Sequence, residues 1–311
     1  MHLPRRAVLA SLLAASTFSP SRRAPAQSAA EGAPPIDPDP VLPPLPAAPA
    51  VAAAPPLPPA AASVIPAWRR FAVPVAAGDP RPKIALVIDD MGVMRARTAQ
   101  ALDLPGPLTL AWFPFAPDLA EQMQAAAGRG HEALLHMPMQ SFSNSTLQTG
   151  PDPLRIDLPA EVNLDRLRAA FAAVPGVVGL NNHMGSVATR DPALMELVAL
   201  QVRTHGMLFL DSVVVPHSLG LKQAEAAGVP AAGRDVFIDN TANPATIHTQ
   251  LLEIEATARR LGYAIAIGHP RPHTLAALAD WLPTLPGKGF VLWPIAATVA
   301  LRNGIAPAAA V

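Results

Sequence analysis

Lys83-Ile84-Ala85-Leu86-Val87-Ile88-Asp89-Asp90-Met91-Gly92 is the stretch on which the fold turns. Five consecutive apolar residues, Ile84 to Ile88, end on two carboxylates. A short unbroken apolar run fits a strand buried on both faces, as in a parallel sheet covered by helices. Downstream, Leu108–Phe113, Ala133–Leu135, Val177–Leu180, Met207–Leu210, Val236–Ile238, Ala264–Ile267 and Phe290–Trp293 read as further strands. Helical patterns separate them. The clearest covers Pro244–Leu261, with Ile247, Leu251, Ile254, Ala258 and Leu261 on one stripe. Asn243 can cap it, Pro244 suits its first turn and Gly262 can end it. A second pattern runs through Leu164, Leu167, Phe171 and Val174, and Asp191-Pro192 opens a third. Strands alternating with helices imply an α/β fold with a parallel sheet. Seven or eight units between Lys83 and about Ala300 suit a small barrel better than an open sheet.

Polar residues recur directly after these runs. Asp89-Asp90 follow the first strand and His136 ends the third. Asn181-Asn182-His183 follow the fourth, Asp211-Ser212 the fifth, Asp239-Asn240 the sixth and Gly268-His269-Pro270 the seventh. In a parallel barrel these ends open on one face, which carries the chemistry. A single such residue would read as a helix cap or a satisfied core histidine; the repetition over successive units favours a site. His131, His205, His217, His248 and His273 read as surface or helix residues without chemistry.

Composition narrows the choices. A formal net charge of zero argues against nucleic acid or an anionic membrane surface as partner. The absence of cysteine excludes disulfides, thiolate metal sites and a Cys nucleophile. Any metal must then be held by His and carboxylate, which suits Zn²⁺ or a similar divalent ion. Arg5-Arg6, the apolar run Ala7–Ala15 and Ala24-Pro25-Ala26 have the form of a secretory signal over 1–26. The run is too short for a membrane span, so no integral membrane segment is expected in the mature chain. Arg-Arg also permits twin-arginine export. Thirteen of the 38 prolines lie between Glu31 and Pro66, so 27–82 reads as an extended, disordered spacer, with Trp68 and Phe71 as points where docking can begin. The folded domain is expected over 83–304, with a flexible tail over 305–311.

Taken together, Val87-Ile88-Asp89-Asp90-Met91-Gly92 resembles the opening Asp-Asp motif of polysaccharide deacetylases, and Gly130-His131-Glu132 followed by His136 is similar to their second motif. His136-Met137-Pro138-Met139, Asn181-Asn182-His183-Met184-Gly185-Ser186, Phe209-Leu210-Asp211-Ser212 and Ala266-Ile267-Gly268-His269-Pro270 resemble the divergent polysaccharide deacetylase family. The resemblance implies a distorted (β/α)7-8 barrel of the deacetylase type in the bacterial envelope, periplasmic or extracellular, acting on peptidoglycan or another N-acetylated polysaccharide. It implies Asp89 as base, Asp90 and His136 as ligands of a divalent metal, and His269 as acid. The parent motif has a second metal-binding His four residues after the first; here that position is Gln140, a poor Zn²⁺ ligand. His183, from the next strand end, is the expected replacement. Asn182, Ser186 and Asp211 are expected to meet substrate. Two other readings stay open. One is a non-catalytic module that binds glycan or protein. The other is a metal-free glycosidase, in which Asp211 or Asp239 would supply the second carboxylate.

Overall fold

The computed structural model describes residues 65–76, 78–143 and 149–309. The signal at 1–26 and the spacer up to residue 64 lie outside the described residues. Among the described residues, nine strands form one parallel sheet. They are β1 (Lys83–Met91), β2 (Thr109–Trp112), β3 (Glu132–Met139), β4 (Gly179–Met184), β5 (Leu208–Asp211), β6 (Ala231–Gly233), β7 (Val236–Phe237), β8 (Tyr263–Gly268) and β9 (Val291–Leu292). Their order is β6-β5-β4-β3-β2-β1-β8-β7, with β9 joined to the start of β1.

The sheet curls into a distorted barrel whose ring closes through the chain itself. β6 pairs with β5 and β7 with β8, and only Arg234 and Asp235 separate β6 from β7. Arg234 N–H donates to Asp211 O on one side, and Asp235 N–H to Ile265 O on the other. The Asp235 carboxylate accepts a second bond from Ile265 N–H at 2.8 Å. The carbonyls of β6 that face away from β5 are met by side chains. Asn303 Nδ2 donates to Ala231 O at 2.9 Å, and Arg302 Nη1 lies 3.5 Å from Gly233 O. β6 is the strand that the apolar-run criterion misses, because Ala231-Ala232-Gly233 is too short and too small to stand out.

β1 is buried on both faces, as its composition requires. Ile84, Leu86 and Ile88 join the larger core under the outer helices. Ala85 and Val87 point the other way, into the barrel, with Leu134, Leu208, Leu210, Ala232, Ile265 and Ile267. That interior is plugged at the strand N-termini by α1 (Ala67–Arg70), through Trp68, and by the last helix, α9 (Ile295–Arg302), through Ile295, Ala296, Val299 and Ala300. Segments on either side of the expected domain therefore pack onto it. Trp68 docks at 6% exposure, whereas Phe71 stays largely exposed. Val75, within the expected spacer, pairs with Ala309, within the expected tail.

Glu132 and Thr109, at the starts of β3 and β2, hold this plug. Glu132 Oε2 accepts from Ala296 N–H at 2.9 Å, Glu132 Oε1 accepts from Val73 N–H at 3.2 Å, and Thr109 Oγ1 accepts from Ile295 N–H at 3.0 Å. A carboxylate at a helix N-terminus satisfies otherwise orphaned donors, yet burial pushes the Glu132 carboxyl up to about 7. His131 is not a surface residue: it is 5% exposed. Its Nδ1 accepts from Leu108 N–H at 3.2 Å and its Nε2–H donates to Leu102 O at 3.1 Å. Burial lowers its pKa, in keeping with a neutral structural ring.

The outer helices form where the caps indicate. α7 (Pro244–Leu261) starts on Asn243, whose Oδ1 accepts from Ala245 N–H at 2.8 Å, and ends at Gly262 with φ 82°. Its buried stripe holds Ile247, Leu251, Ile254 and Ala258, while Leu261 turns out to solvent. α5 (Pro192–Thr204) is capped by Asp191, which accepts from Leu194 N–H at 2.8 Å. No helix among the described residues is long and apolar enough to cross a membrane.

Candidate metal centre

The strands run further than their apolar cores suggested. His136 sits inside β3, Asn181, Asn182 and His183 lie within β4, and Asp89 and Asp90 belong to β1. The polar residues continue the inward-facing rows of the barrel. Above Ala85 and Val87 comes Asp89; above Leu134 comes His136; above Ile265 and Ile267 comes His269. In register, His136 stands beside Asn181 and Pro138 beside His183. The interior is therefore apolar at the strand N-termini and polar at the C-termini, where a barrel of this kind carries its site.

Simple alternation would send Asp89 and Asp90 to opposite faces. The β1–β2 register breaks between Ile88 and Met91, and Asp90 adopts φ 59°. This left-handed residue, a conformation Asp tolerates better than most, brings both carboxylates to one imidazole. Asp89 Oδ2 lies 3.7 Å and Asp90 Oδ1 3.3 Å from His136 Nε2. Gly92 completes the turn at φ 100°, where an added Cβ would fall 2.5 Å from Ala116 Cβ.

Asp90 Oδ1, His136 Nε2 and His183 Nδ1 make a triangle. Its edges are 3.3 Å, 3.2 Å and 3.0 Å, the last between the two nitrogens. Asp90 Oδ1 is buried and, among the described residues, has no hydrogen bond of acceptable geometry. Such an orphaned acceptor is costly unless something else meets it. The donor set fits a divalent ion. Tetrahedral Zn²⁺ at roughly 2.0–2.2 Å from its ligands spaces them about 3.3–3.6 Å apart and keeps a fourth position open in catalytic sites. Among the described residues, Asp90, His136 and His183 are the group of His, Asp and Glu side chains whose ligand atoms come close enough together to hold a metal ion. Phe113 walls the pair, with its centroid 5.1 Å from His136 and 4.7 Å, edge-on, from His183.

The charges are set by burial against proximity. Burial pushes Asp90 up, but the two imidazoles outweigh it and hold its carboxyl well below the usual range. Burial dominates at Asp89 and raises it, despite the nearby His136 and His269. The His136 ring is raised, because the attraction of Asp89 and Asp90 exceeds its burial penalty.

His269 follows β8 and is held by Asp239. Asp239 Oδ1 lies 2.8 Å from His269 Nδ1, Oδ2 accepts from His269 N–H at 2.9 Å, and Thr274 Oγ1 donates to Oδ2 at 2.7 Å. Asp239 is fully buried. Burial alone would lower the His269 pKa, yet the Asp239 bond and the surrounding carboxylates raise it. Nδ1–H is thus committed to Asp239, and Nε2 remains to exchange a proton.

Three residues expected to meet substrate have other employment. Asn182 Nδ2 donates to Met184 O at 2.9 Å and its Oδ1 accepts from Ser212 N–H at 2.8 Å, so its buried amide is bound to backbone at both ends. Asp211 accepts from Val213 N–H at 2.8 Å, Ser218 Oγ at 2.7 Å and Leu221 N–H at 3.0 Å, which makes it the organiser of its loop. Ser186 Oγ accepts from Phe142 N–H at 3.0 Å. Asp211 and Asp239 are both engaged in this way, so neither offers the second carboxylate that a glycosidase needs. Gln140 likewise holds a loop, its Oε1 accepting from Ile156 N–H at 2.9 Å. Asn181 and Asp239 stand among the polar residues after the fourth and sixth strands, but their pairing with His136 and His269 is not legible from that position. Strand parity could have found Asn181, two residues before His183 on the same face.

Residues 86–299 match the family model described as divergent polysaccharide deacetylase, which is more than half of the chain and includes every site residue above. The chain belongs to the divergent polysaccharide deacetylase family. An uncharacterized protein of Haemophilus influenzae is 38% identical over 204 residues, covering 66% of this chain and 72% of the relative. The uncharacterized Escherichia coli protein YibQ is 36% identical over 213 residues, covering 68% of this chain and 65% of YibQ. The crystal structure of an uncharacterized protein from Agrobacterium tumefaciens superposes with a TM-score of 0.72 at 29% identity, over 75% of this chain and 95% of that one. The family match begins in β1 and ends in α9, so it covers the barrel strands and the α9 part of the plug, while α1 precedes it.

Proposed function

We propose that this protein is a metal-dependent hydrolase that removes N-acetyl groups from a glycan of the bacterial envelope, peptidoglycan or a related polysaccharide. One observation carries the reading: Asp90, His136 and His183 converge at ligand spacing, with Asp89 buried and His269 partly buried beside them. The form of residues 1–26 supports export to the periplasm or beyond.

Asp90, His136 and His183 would hold a divalent ion, Zn²⁺ by donor type, which when bound would supply Lewis-acid polarisation of the acetamide carbonyl and a lowered pKa for water at the site. Asp89, ionised, takes the proton of the water that adds to the carbonyl carbon. His269, protonated, gives a proton through Nε2 to the departing amine nitrogen as the C–N bond breaks. Acetate and a free amino sugar leave. Burial that raises Asp89 makes it a stronger base than an exposed carboxylate, and the Asp239 bond keeps His269 charged to higher pH.

Acetate released from N-acetylated glycan fragments tests the proposal. Turnover that stops with a chelator and returns with Zn²⁺ is the expected outcome. Glycan binding without acetate release, under loading with Zn²⁺, Co²⁺, Mn²⁺ or Ni²⁺, would instead identify a binding module. Asp239→Asn refines the role of His269. Losing the carboxylate lowers the imidazole pKa, so the alkaline limb of kcat should move to lower pH by about one unit or more. A pH–rate profile of both proteins reads the shift.

A further inference from the structure

We propose that Asn181 is the positioning residue of this centre: a single carboxamide decides which nitrogen His136 offers the metal position and which oxygen Asp89 offers the reacting water. The inference rests on the deacetylase reading for its catalytic half and on geometry alone for its metal half. Asn181 is fully buried, on the inward row of β4 between β3 and β5. Its Nδ2 donates to Asp89 Oδ1 at 2.8 Å and lies 3.3 Å from Ser212 Oγ. Its Oδ1 lies 2.9 Å from His136 Nδ1.

These contacts are mutually determined. An ionised carboxylate has only acceptors, so the NH₂ end must face Asp89. The carbonyl end then faces His136, and a carbonyl oxygen only accepts, so Nδ1 must carry the ring proton. The lone pair is left on Nε2, the atom 3.3 Å from Asp90 Oδ1 and 3.0 Å from His183 Nδ1. Metal-binding imidazoles are regularly oriented by a partner on their other nitrogen. At the other end, engaging Asp89 Oδ1 leaves Oδ2, the oxygen 3.7 Å from His136 Nε2, directed at the centre. Asn182, bound to backbone at both ends, cannot substitute. An Asp at 181 would keep an acceptor for His136 but set an anion against Asp89. A Leu would leave both partners unsatisfied.

Two substitutions separate the halves. In ¹⁵N-histidine-labelled full-length protein without metal, at a pH high enough for the His136 ring to be neutral, the Nδ1–H tautomer is expected, contrary to the usual preference. Asn181→Asp should keep that tautomer and bind Zn²⁺ at least as tightly as wild type, but lose about a hundredfold or more in kcat with KM little changed. Asn181→Leu should lose the tautomer and weaken Zn²⁺ binding by about 10–100-fold. Should Asn181→Leu not fold, Asn181→Asp and the wild-type tautomer still decide. A neutral wild-type ring protonated on Nε2, or an Asn181→Asp protein with unchanged kcat, would overturn the inference. If tautomer and affinity behave as stated while no glycan yields acetate, the deacetylase reading fails and the metal-side role stands. If acetate is released and the tautomer is reversed, this inference alone fails.

Discussion

Asp89→Asn is expected to cut acetate release about a thousandfold, within the range of a lost general base, while metal content stays at the wild-type level. The two residues of the Asp pair are separable because their surroundings differ. Asp90 Oδ1 completes the triangle with the two imidazoles, whereas Asp89 is engaged by Asn181 at 2.8 Å and stands 3.7 Å from His136 Nε2. An Asn at 89 can keep its carbonyl oxygen toward Asn181 Nδ2. The group turned to the water is then an amide NH₂, which cannot accept a proton. Fold, packing and ligands survive and the base does not. Turnover per bound metal, with metal counted by mass spectrometry, checks this. Loss of metal in parallel with turnover would move Asp89 into the ligand set.

His183→Ala has the second large effect. It should weaken Zn²⁺ binding more than a hundredfold, beyond the roughly 10–100-fold typical of residues that only support a ligand. Only Asp90 and His136 would remain, and two ligands leave a divalent ion largely solvated. Gln140→Ala is the contrasting substitution. Gln140 Oε1 is tied to Ile156 N–H, so its removal should leave Zn²⁺ affinity unchanged and lower the melting temperature instead. Calorimetric titration of the three proteins reads the affinities, and scanning calorimetry reads the melting temperatures. Equal losses from His183→Ala and Gln140→Ala would return Gln140 to the ligand set.

The sequence carried much of this, for identifiable reasons. Burial on both faces requires an unbroken apolar strand, so β1 was legible from Ile84 to Ile88. Capping chemistry is local, so Asn243, Pro244 and Gly262 marked both ends of α7. Asp90, His136 and His183 were legible because charge at a strand end needs a reason. The apolar-run criterion failed where polarity entered the strand itself: β3 and β4 continue through His136 and Asn181-Asn182-His183, and so were read too short. That error hid the parity which turns Asn181 inward and leaves Asn182 bound to backbone. Asp211 and His131 misled for another reason. Their partners, the Val213 and Leu221 amides and the Leu102 and Leu108 backbone, are set by loop paths that no local pattern encodes. The switch of partner between β6 and β7 is equally invisible, because two residues of linker look the same in a turn and in a strand.

That switch has a bearing on how the molecule behaves among its neighbours. A sheet that stops at a strand leaves a row of unpaired amides and carbonyls, which is a template for another chain to add to. Here β6 pairs with β5 and β7 with β8 on either side of a two-residue link, and the outward carbonyls of Ala231 and Gly233 are met by Asn303 and Arg302. The side chains at the end of α9 thus act as a guard against strand addition. A short strand rich in small residues can then be used to close the barrel beside the reactive centre without becoming a nucleus for self-association.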